Sequence, residues 1–337
     1  MNVGDSTIKV IIMKRLLTIV AAALAFAVLH QAAQSQEYPS RPVTFVVPYQ
    51  AGGGTDTMAR LLGGRLEKRL GQTFVVENKP GAASSIGAAY VAKAAPDGYT
   101  IMLATSSTMA INVSIYKKLA YDPTRDLTPI ALFARIPFLL VVNPETPVHS
   151  VADLVKLAKE RKGALPFGSN GFGGAGHLNM ALFNAMTDTE MTHVPYKGLS
   201  PALNDTVAGH VKVVFGDFGT AYPLVKAGKL RALGVTTRQR IPAALEIPPL
   251  NEAGLPGYDV SSWFMVVAPG GTPKEIVAKL NAELRAILAE REIVASINGR
   301  GLIPVVSEPP EKLPAFVKSE IVRWAEVVKK AGATGVQ

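Results

Sequence analysis

The sequence predicts an α/β protein of two domains with a ligand cleft between them. The main observation is a duplicated unit: a strand, a glycine-rich stretch and a helix follow one another at residues 43–70 and again at 164–186. Each unit is followed by a further short strand, at residues 74–77 and 191–194. The second observation is the length of 337 residues, which exceeds a single typical core and suits two α/β domains.

The two glycine-rich stretches, residues 48–54 and 168–176, are candidates for a binding site. A glycine loop that leads into a helix presents unpaired backbone N–H groups at the positive end of the helix dipole. That combination suits an anion, and two copies predict two half-sites facing each other across a cleft. We expect Gly53 and Gly173 to provide the positive φ and the close backbone approach that such loops need.

The composition limits the possible functions. Hydrophobic residues make up 48% and charged residues 18% of the chain, as in a packed globular protein. The formal net charge is +9, yet basic residues form no run longer than two, which disfavours a nucleic-acid surface and favours attraction of small anions. With no cysteine and with scattered histidines, the sequence predicts no disulfide, no metal site and no cofactor.

The first 36 residues have the pattern of a secretory signal. Lys14 and Arg15 precede an apolar run over residues 16–29, and a short polar stretch with small residues follows. Met13 is an alternative start. A membrane anchor is the other interpretation, but the run is short for a bilayer. We therefore expect an exported protein whose signal segment is residues 1–36.

The remaining elements follow from apolar periodicity and from capping residues. Strands are predicted at residues 74–77, 99–104, 138–142, 165–167, 192–194, 211–215, 232–235 and 258–268. Helices are predicted at residues 55–70, 84–93, 177–186, from Ser150 onward, at 272–290 with Thr272 as the cap, and at 311–330.

This order predicts a first domain made of residues 37–140 plus 264–337 and a second made of residues 141–263. Two crossover strands would then join the domains as a hinge. Two sequential domains remain the alternative. In the first domain, a hydroxyl-rich loop at residues 105–108 follows a buried strand, and open α/β sheets bind ligands at the carboxyl ends of their strands.

Several motifs together carry a family resemblance. They are Pro48-x-x-Ala-Gly-Gly-x-x-Asp56, Val76-Glu-Asn-Lys-Pro-Gly81, Pro96-Asp-Gly-Tyr99, Tyr121-Asp-Pro-x-x-Asp126, Val194-Pro-Tyr-Lys-Gly198 and Ala227-Gly-Lys-Leu-Arg-Ala-Leu233. In this order they resemble the Bug family, the periplasmic substrate-binding proteins of tripartite tricarboxylate transporters. The resemblance extends over nearly the whole mature chain.

The resemblance implies a type II periplasmic binding protein that is not an enzyme. Such a protein would be a periplasmic monomer that closes on a small organic carboxylate and presents it to a membrane permease. The family holds the carboxylate by loop backbone, hydroxyls and bridging waters rather than by an arginine clamp. The absence of Lys and Arg from both glycine-rich stretches agrees with this.

The candidate ligand-binding residues come from the loops at the carboxyl ends of the predicted strands. They are Tyr49, Ala51, Gly52, Gly53, Gly54, Thr55 and Asp56 in the first unit, Ser106, Ser107 and Thr108 in the hydroxyl loop, Ser169, Asn170, Gly173, Ala175 and His177 in the second unit, and Tyr196, Lys197 and Asp217 after later strands.

Some of these residues allow two interpretations. Asp56 either caps a helix or binds an amine or water in the ligand site. Lys197 is either a cation near the cleft or a solvated lysine, and Asp217 would favour a ligand that carries an amine or hydroxyl. The three residues Ser169, His177 and Asp217 together raise a hydrolase hypothesis, although no Gly-x-Ser-x-Gly motif is present.

Alternative functions follow from the same residues. The string Gly171-x-Gly-x-x-Gly176 matches a dinucleotide fingerprint, but an exported protein has little access to NAD. An exported α/β enzyme acting on a carboxylate or ester is the main alternative, and turnover of a bound ligand would reveal it. An extracytoplasmic sensor partner is the third class, and a co-purifying receptor would reveal that one.

Overall fold

The structure, a computed structural model, describes residues 38–335. The predicted signal segment, residues 1–36, and the alternative start at Met13 lie outside the described residues and stay predictions. Within the described part, no helix is both long and apolar enough to cross a membrane.

The described chain alternates strands and helices. The strands are β1 (Val43–Val47), β2 (Phe74–Asn78), β3 (Thr100–Thr105), β4 (Leu127–Ile136), β5 (Phe138–Val142), β6 (Gly163–Ser169), β7 (Met191–Pro195), β8 (Val213–Asp217), β9 (Arg231–Val235), β10 (Ser262–Pro269) and β11 (Ile303–Pro304). The α-helices are α1 (Gly54–Leu70), α2 (Ser85–Ala92), α3 (Asn112–Ile115), α4 (Val151–Arg161), α5 (Ala175–Thr187), α6 (Leu199–Val207), α7 (Phe218–Lys226), α8 (Lys274–Leu288), α9 (Arg291–Gly299) and α10 (Leu313–Lys330).

The strands form two sheets. The first has the order β11-β4-β10-β3-β1-β2, in which β1 pairs in parallel with β2 and β3, while β10 runs antiparallel to β3 and β4. The second has the order β7-β6-β8-β5-β9, in which β6 pairs in parallel with β7 and β8. We call each sheet, with the helices that pack on it, the first lobe and the second lobe. This is the predicted two-domain α/β architecture.

The duplicated unit is confirmed by the sheet topology. Both lobes contain three parallel strands in the same order, β2-β1-β3 and β7-β6-β8. The loop after the central strand of each set is glycine-rich; we call residues 48–53 the first glycine loop and residues 170–174 the second. Ligands of open α/β sheets bind at this end, where the strand order reverses.

The chain passes between the sheets twice. It leaves the first sheet at Pro137, between β4 and β5, and returns between β9 and β10. All of β5 therefore belongs to the second sheet. The domain boundaries expected at residues 140 and 263 stay predictions, with Pro137 and Ser262 as the nearest structural landmarks.

Two predicted details differ from the structure. The strand expected over residues 258–268 begins only at Ser262, because Tyr258 leaves the sheet and its hydroxyl donates to the Asn179 carbonyl at 2.9 Å. The helix expected from Thr272 begins at Lys274, because the Thr272 hydroxyl bonds to the Pro269 carbonyl instead of capping. The predicted cap at Ser150 is confirmed, since its Oγ accepts from the Asp153 N–H at 3.1 Å.

Candidate functional site

Two adjoining cavities lie between the lobes, at the carboxyl ends of the parallel strands. The first has a volume of about 60 Å³ and receives residues from both lobes. Its lining is Tyr49, Gln50, Gly53, Gly54, Thr55, Thr105, Ser107, Phe138, Asn170, Ala175, Gly198, Leu199, Ser200, Pro201, Asp217, Ser262 and Phe264. None of these lining residues is Lys or Arg.

The second cavity has a volume of about 300 Å³ and shares Tyr49 and Asn170 with the first. Its other walls are Gly81, Ala82, Ala83, Ser84, Tyr116, Gly171, Phe172, Pro195, Tyr196 and Lys197. Three successive wall residues, Ala82, Ala83 and Ser84, have positive φ of 45°, 46° and 81°, which is uncommon for residues other than glycine. Strained backbone of this kind is often found at functional sites.

The first glycine loop is held by a carboxylate. Asp56, in the first turn of α1, accepts the Gly52 N–H at 3.1 Å, and it also accepts bonds from Arg60 and from Asn78. Burial alone would raise the pKa of Asp56, but these hydrogen bonds and the Arg60 charge lower it. Its oxygens are therefore fully engaged, and Asp56 acts on the loop rather than on the cavity wall. Helix α1 itself starts without a side-chain cap at Gly53, and the residues of this helix start, Gly53, Gly54 and Thr55, line the first cavity.

The second glycine loop is held by neutral side chains. Asn170 Oδ1 accepts the Gly176 N–H at 3.1 Å in the first turn of α5. Ser169 Oγ accepts the Gly171 N–H at 3.1 Å, and His177 Nδ1 accepts the Gly173 N–H at 3.3 Å. One of the predicted free N–H groups at this helix start is thus already bonded within the protein.

Each lobe has a glycine that makes room for the opposite lobe, Gly54 at the start of α1 and Gly173 in the second glycine loop. A Cβ at Gly54 would lie 2.9 Å from Asp217 Oδ1, and a Cβ at Gly173 would lie 2.8 Å from Ile115 Cγ2. Gly173 also has the expected positive φ, 75°. The same expectation is wrong at Gly53, whose φ is −82°; in the first loop the positive φ belongs to Gly52, at 83°.

Asp217 lies across the first cavity from α1. It caps α7, where Oδ1 accepts the Thr220 N–H at 3.1 Å and Oδ2 accepts the Thr220 hydroxyl at 2.7 Å. Burial raises the pKa of this carboxyl, and the bonds from Thr220 oppose the shift. Asp217 lies close to Gly54, so this carboxyl group faces the start of α1 across the cavity.

The two lobes also contribute hydroxyls without partners. Among the described residues, neither Ser107 Oγ nor Ser200 Oγ has a hydrogen-bond partner of good geometry, although both atoms are buried at the first cavity and the Tyr49 hydroxyl lies near Ser107. The Tyr49 hydroxyl bonds to Thr105 Oγ1 at 2.9 Å. Burial raises the pKa of Tyr49, so the phenol stays protonated and available as a polar wall.

The predicted site residues divide into two groups. Those that line a cavity are Tyr49, Gly53, Gly54, Thr55, Ser107, Asn170, Ala175, Tyr196, Lys197 and Asp217. Those that lie behind or beside the walls are Ala51, Gly52, Asp56, Ser106, Thr108, Ser169, Gly173 and His177. Ala51 and Gly52 are in or next to exposed loop, Ser106 bonds to Ser262 Oγ at 2.6 Å, and Thr108 donates to Ser84 Oγ at 2.9 Å.

The sequence reasoning missed one wall of each cavity. In the first cavity it missed Ser200 and its neighbours at the start of α6, although a glycine after the strand β7 and a following helix are the same signal as in the two loops. In the second cavity it missed residues 81–84, because alanine rarely adopts a positive φ and the sequence therefore does not predict one at Ala82 or Ala83.

The geometry of the described residues does not support the hydrolase or the dinucleotide hypothesis. Ser169 lies 2.6 Å from His193 Nε2 rather than beside His177, and Asp217 caps a different helix. Gly176 donates to Asn170, so the fingerprint string does not present a free phosphate loop. Within residues 38–335 no cluster of three His, Asp or Glu could hold a metal ion.

Comparison with known proteins gives a consistent family. The model of the tripartite tricarboxylate transporter family receptor matches residues 58–333. Protein BugT of Bordetella pertussis is 34% identical over 322 residues, which cover 95% of this chain and 98% of BugT.

Two solved structures are similar throughout. The structure of R. palustris Rpa4515 with adipate is 42% identical, with a TM-score of 0.85, over 88% of this chain and 99% of that chain. MatC from Rhodopseudomonas palustris with bound malate is 36% identical, with a TM-score of 0.82, over 86% and 100%. The Bug resemblance of the sequence is thereby confirmed: the chain belongs to the receptor family of tripartite tricarboxylate transporters, whose members are solute-binding proteins.

Proposed function

We propose that this receptor captures a small organic carboxylate in the periplasm and delivers it to the membrane permease of its transporter. In this proposal the protein is a monomer and catalyses no reaction. The ligand lies between the two glycine loops, and the domains formed by residues 37–140 plus 264–337 and by residues 141–263 close on it.

The observation that carries the proposal is the pair of unpartnered hydroxyls on the first cavity. Ser107 Oγ belongs to the first lobe and Ser200 Oγ to the second. A buried polar group without a partner costs roughly 1–3 kcal/mol, so a ligand group that accepts from both is favoured. A carboxylate has two oxygens with several lone pairs, and one such group can accept a bond from each lobe.

The electrostatics of the cavity support an anion held without a cation clamp. The uncapped start of α1 offers N–H groups and a partial positive charge at Gly53, Gly54 and Thr55. Asp217 on the opposite wall repels an anion when it is ionised, and its raised pKa lessens that repulsion. A dianion would then place its other carboxylate in the second cavity, where Lys197 is the nearest cation of the lining.

The relatives support the same ligand class. The structure of Rpa4515 contains adipate and that of MatC contains malate, and both proteins align with almost the whole described chain. Adipate and malate are both dicarboxylates, but they differ in length and in the hydroxyl group of malate.

One observation bears on the enzyme alternative. The 2.6 Å contact of Ser169 Oγ with His193 Nε2 has the spacing of a nucleophile and its base. Ser169 is 0% exposed and lines neither cavity, and its hydroxyl lies 3.2 Å from the Gly171 carbonyl, to which it donates. A serine whose proton goes to a backbone carbonyl is not activated by the imidazole, and this supports binding without turnover.

The test is a thermal-shift screen of mono-, di- and tricarboxylates and amino acids, followed by calorimetry. A ligand at a thousandfold its Kd stabilises a protein by ~4 kcal/mol, so at least one carboxylate should raise the Tm clearly. Ser107→Ala and Ser200→Ala should each weaken that ligand about five- to tenfold, as expected for one lost hydrogen bond.

The matched control is Ser319→Ala, because its hydroxyl bonds only to the Phe316 carbonyl on an exposed face of α10. It should bind like the parent. A screen in which only nucleotides or neutral sugars raise the Tm would contradict the proposal. Chemical conversion of the bound carboxylate would favour the enzyme alternative.

A further inference from the structure

Two histidines of the second lobe lie behind the second glycine loop. His177 is in the first turn of α5 and His193 is in β7, and neither lines a cavity. Their ring centroids are 4.4 Å apart. Phe167 stacks on His193 at 5.0 Å and Phe172 packs against His177 at 4.6 Å, so the two imidazoles form part of a small aromatic cluster.

His177 holds one glycine of the loop directly. Its Nδ1 accepts the Gly173 N–H at 3.3 Å. The bond requires a lone pair on Nδ1, and only an imidazole unprotonated at that atom has one. Gly173, at φ 75°, has no side chain to restrict its backbone, so an external acceptor is what favours this one conformation.

His193 holds the other glycine through Ser169. Ser169 Oγ contacts His193 Nε2 at 2.6 Å, the Gly171 N–H at 3.1 Å and the Gly171 carbonyl at 3.2 Å. The single hydroxyl hydrogen of Ser169 is consistent with all three contacts. It is donated to the Gly171 carbonyl, while Oγ accepts from the Gly171 N–H and from the Nε2–H of a neutral His193. The arrangement fixes both backbone groups of Gly171, whose φ is 101°.

The environment keeps both rings neutral. Burial, together with the neighbouring His193, lowers the pKa of His177 to about 3, and burial lowers the pKa of His193 to about 4. Among the described titratable groups, the only one that shifts the pKa of either ring is His193, which acts on His177. The elements packed around them contribute Phe167, Phe172, Ser169 and glycine backbone.

We propose that His177 and His193 are a pair of positioning residues that hold the second glycine loop in its ligand-binding shape. The inference rests on the proposed function for its consequence, which is ligand affinity, but the ordering of the loop can be measured without a ligand. His177 positions Gly173, and His193, through Ser169, positions Gly171.

Two substitutions at His177 separate the hydrogen bond from the packing. His177→Phe keeps a ring in the aromatic cluster but has no acceptor. His177→Asn loses the ring but retains an acceptor oxygen near the position of Nδ1. His149→Asn is the matched control, since His149 is an exposed histidine outside the loop. His193→Phe tests the second member of the pair.

The first measurement is amide hydrogen exchange at Gly173 and Gly171 in the protein without ligand. His177→Phe should speed exchange at Gly173 at least tenfold, and His177→Asn should restore most of the protection. His193→Phe should speed exchange at Gly171 instead. An unchanged exchange rate at Gly173 in folded His177→Phe would overturn the inference. Equal exchange rates at Gly173 in His177→Phe and His177→Asn would overturn it as well.

The second measurement is the Kd for adipate and malate as probes. His177→Phe should weaken the tighter probe about tenfold, while His177→Asn and His149→Asn stay within about threefold of the parent. If His177→Phe binds the probe as tightly as the parent although its Gly173 amide exchanges fast, the inference is also overturned, because the loop shape would then not affect ligand affinity. If the parent binds no carboxylate, the proposed function fails, and the exchange data still decide the inference.

Discussion

The two glycine loops occupy the same place in the two lobes but are held by different chemistry. The first is held by a charge, because Asp56 accepts the Gly52 N–H and is itself neutralised by Arg60. The second is held by neutral groups: Ser169 and His177 accept backbone N–H groups of the loop, Asn170 ties the loop to the first turn of α5, and His193 contacts Ser169.

Burial explains the difference. Ala51 and Gly52 of the first loop are exposed, and the Arg60 that pairs with Asp56 also reaches solvent. Asp56 itself is buried, and its hydrogen bonds from Gly52, Arg60 and Asn78 offset the desolvation of the carboxylate. Gly173 and Gly174 of the second loop are buried, Gly173 against Ile115 of the first lobe and Gly174 against Asn170 of its own loop. A charge placed there would need full compensation, and neutral acceptors avoid that cost. Loops in equivalent places of the two lobes can thus be stabilised by different chemistry, depending on access to water.

The largest test of this comparison adds one methyl group to each loop. Gly173→Ala should be severe, because alanine is strained at φ 75° and its Cβ would meet Ile115 of the other lobe at 2.8 Å. The left-handed backbone costs about 1–2 kcal/mol and overpacking about 1–3 more. We expect carboxylate affinity to fall by more than tenfold in calorimetry, with a lower Tm.

The matched change in the first loop is Gly53→Ala. Its φ is −82° and its nearest neighbour would be Ser200 Oγ at 3.6 Å, so affinity should change less than threefold. Gly64→Ala, with open space around its Cβ in α1, is the control for folding. Equal losses in Gly53→Ala and Gly173→Ala would contradict the comparison.

The second test uses acid, since the two loops should respond in different pH windows. The folded pKa values of His177 and His193 lie below the ordinary value of about 6.5, so between that value and pH 4 the unfolded chain binds protons that the native state refuses. The contribution of these two histidines to the free energy of unfolding is therefore fully present above pH 6.5. It should fall on acidification by up to ~1.4 kcal/mol per pH unit for each histidine, and by less for the partly exposed His193.

The contribution of Asp56 has a lower window. Its pKa is lowered in the folded state, so its stabilisation is present above the ordinary carboxyl value and is lost only as the pH falls below it. Denaturant unfolding from pH 7 to 3 should show His177→Asn flattening the profile above pH 4 and Asp56→Asn flattening it only below. A profile that Asp56→Asn changes at pH 6 would count against this assignment.

The smallest expected effect concerns the first loop alone. Asp56→Ala removes the acceptor for Gly52, Arg60 and Asn78, but the loop is exposed and Arg60 reaches solvent, so water can replace part of these bonds. We expect carboxylate affinity to fall about five- to tenfold, while Asp56→Asn, which keeps an acceptor oxygen, should lose about half of that free energy. Asp153→Asn, at the exposed start of α4, is the control.

Much of the fold could be predicted from residues close together in the chain. The alternation of apolar runs with glycine and capping residues identified most strands and helices, including the cap at Ser150. Where a distant contact competed, the local rule failed: Tyr258 reaches Asn179 instead of extending a strand, and Thr272 bonds to a strand carbonyl instead of a helix. The prediction of the duplicated strand–loop–helix unit was confirmed because its sequence signal is local and occurs in both copies.

The candidate site was predictable only in part, for the same reason. Tyr49, Gly54 and Asn170 follow strand ends, and every strand end of the parallel sets faces the cleft, so position in the chain was sufficient. Whether a polar side chain faces the cavity or the loop behind it depends on its partners. Asp56, Ser169 and His177 were expected at the ligand, but each finds its partners in the loop backbone.

The sequence by itself determined the two-lobed α/β architecture, the paired glycine loops and the family, because those depend on residue order and local backbone preference. Only the tertiary structure decided that Ser107 and Ser200 lie unpartnered on one cavity, that Asp217 faces α1, and that His193 rather than His177 contacts Ser169. These facts depend on distances between residues far apart in the chain. Hydrogen bonding is short-ranged and directional, so the identity of each partner is settled only when the lobes have packed.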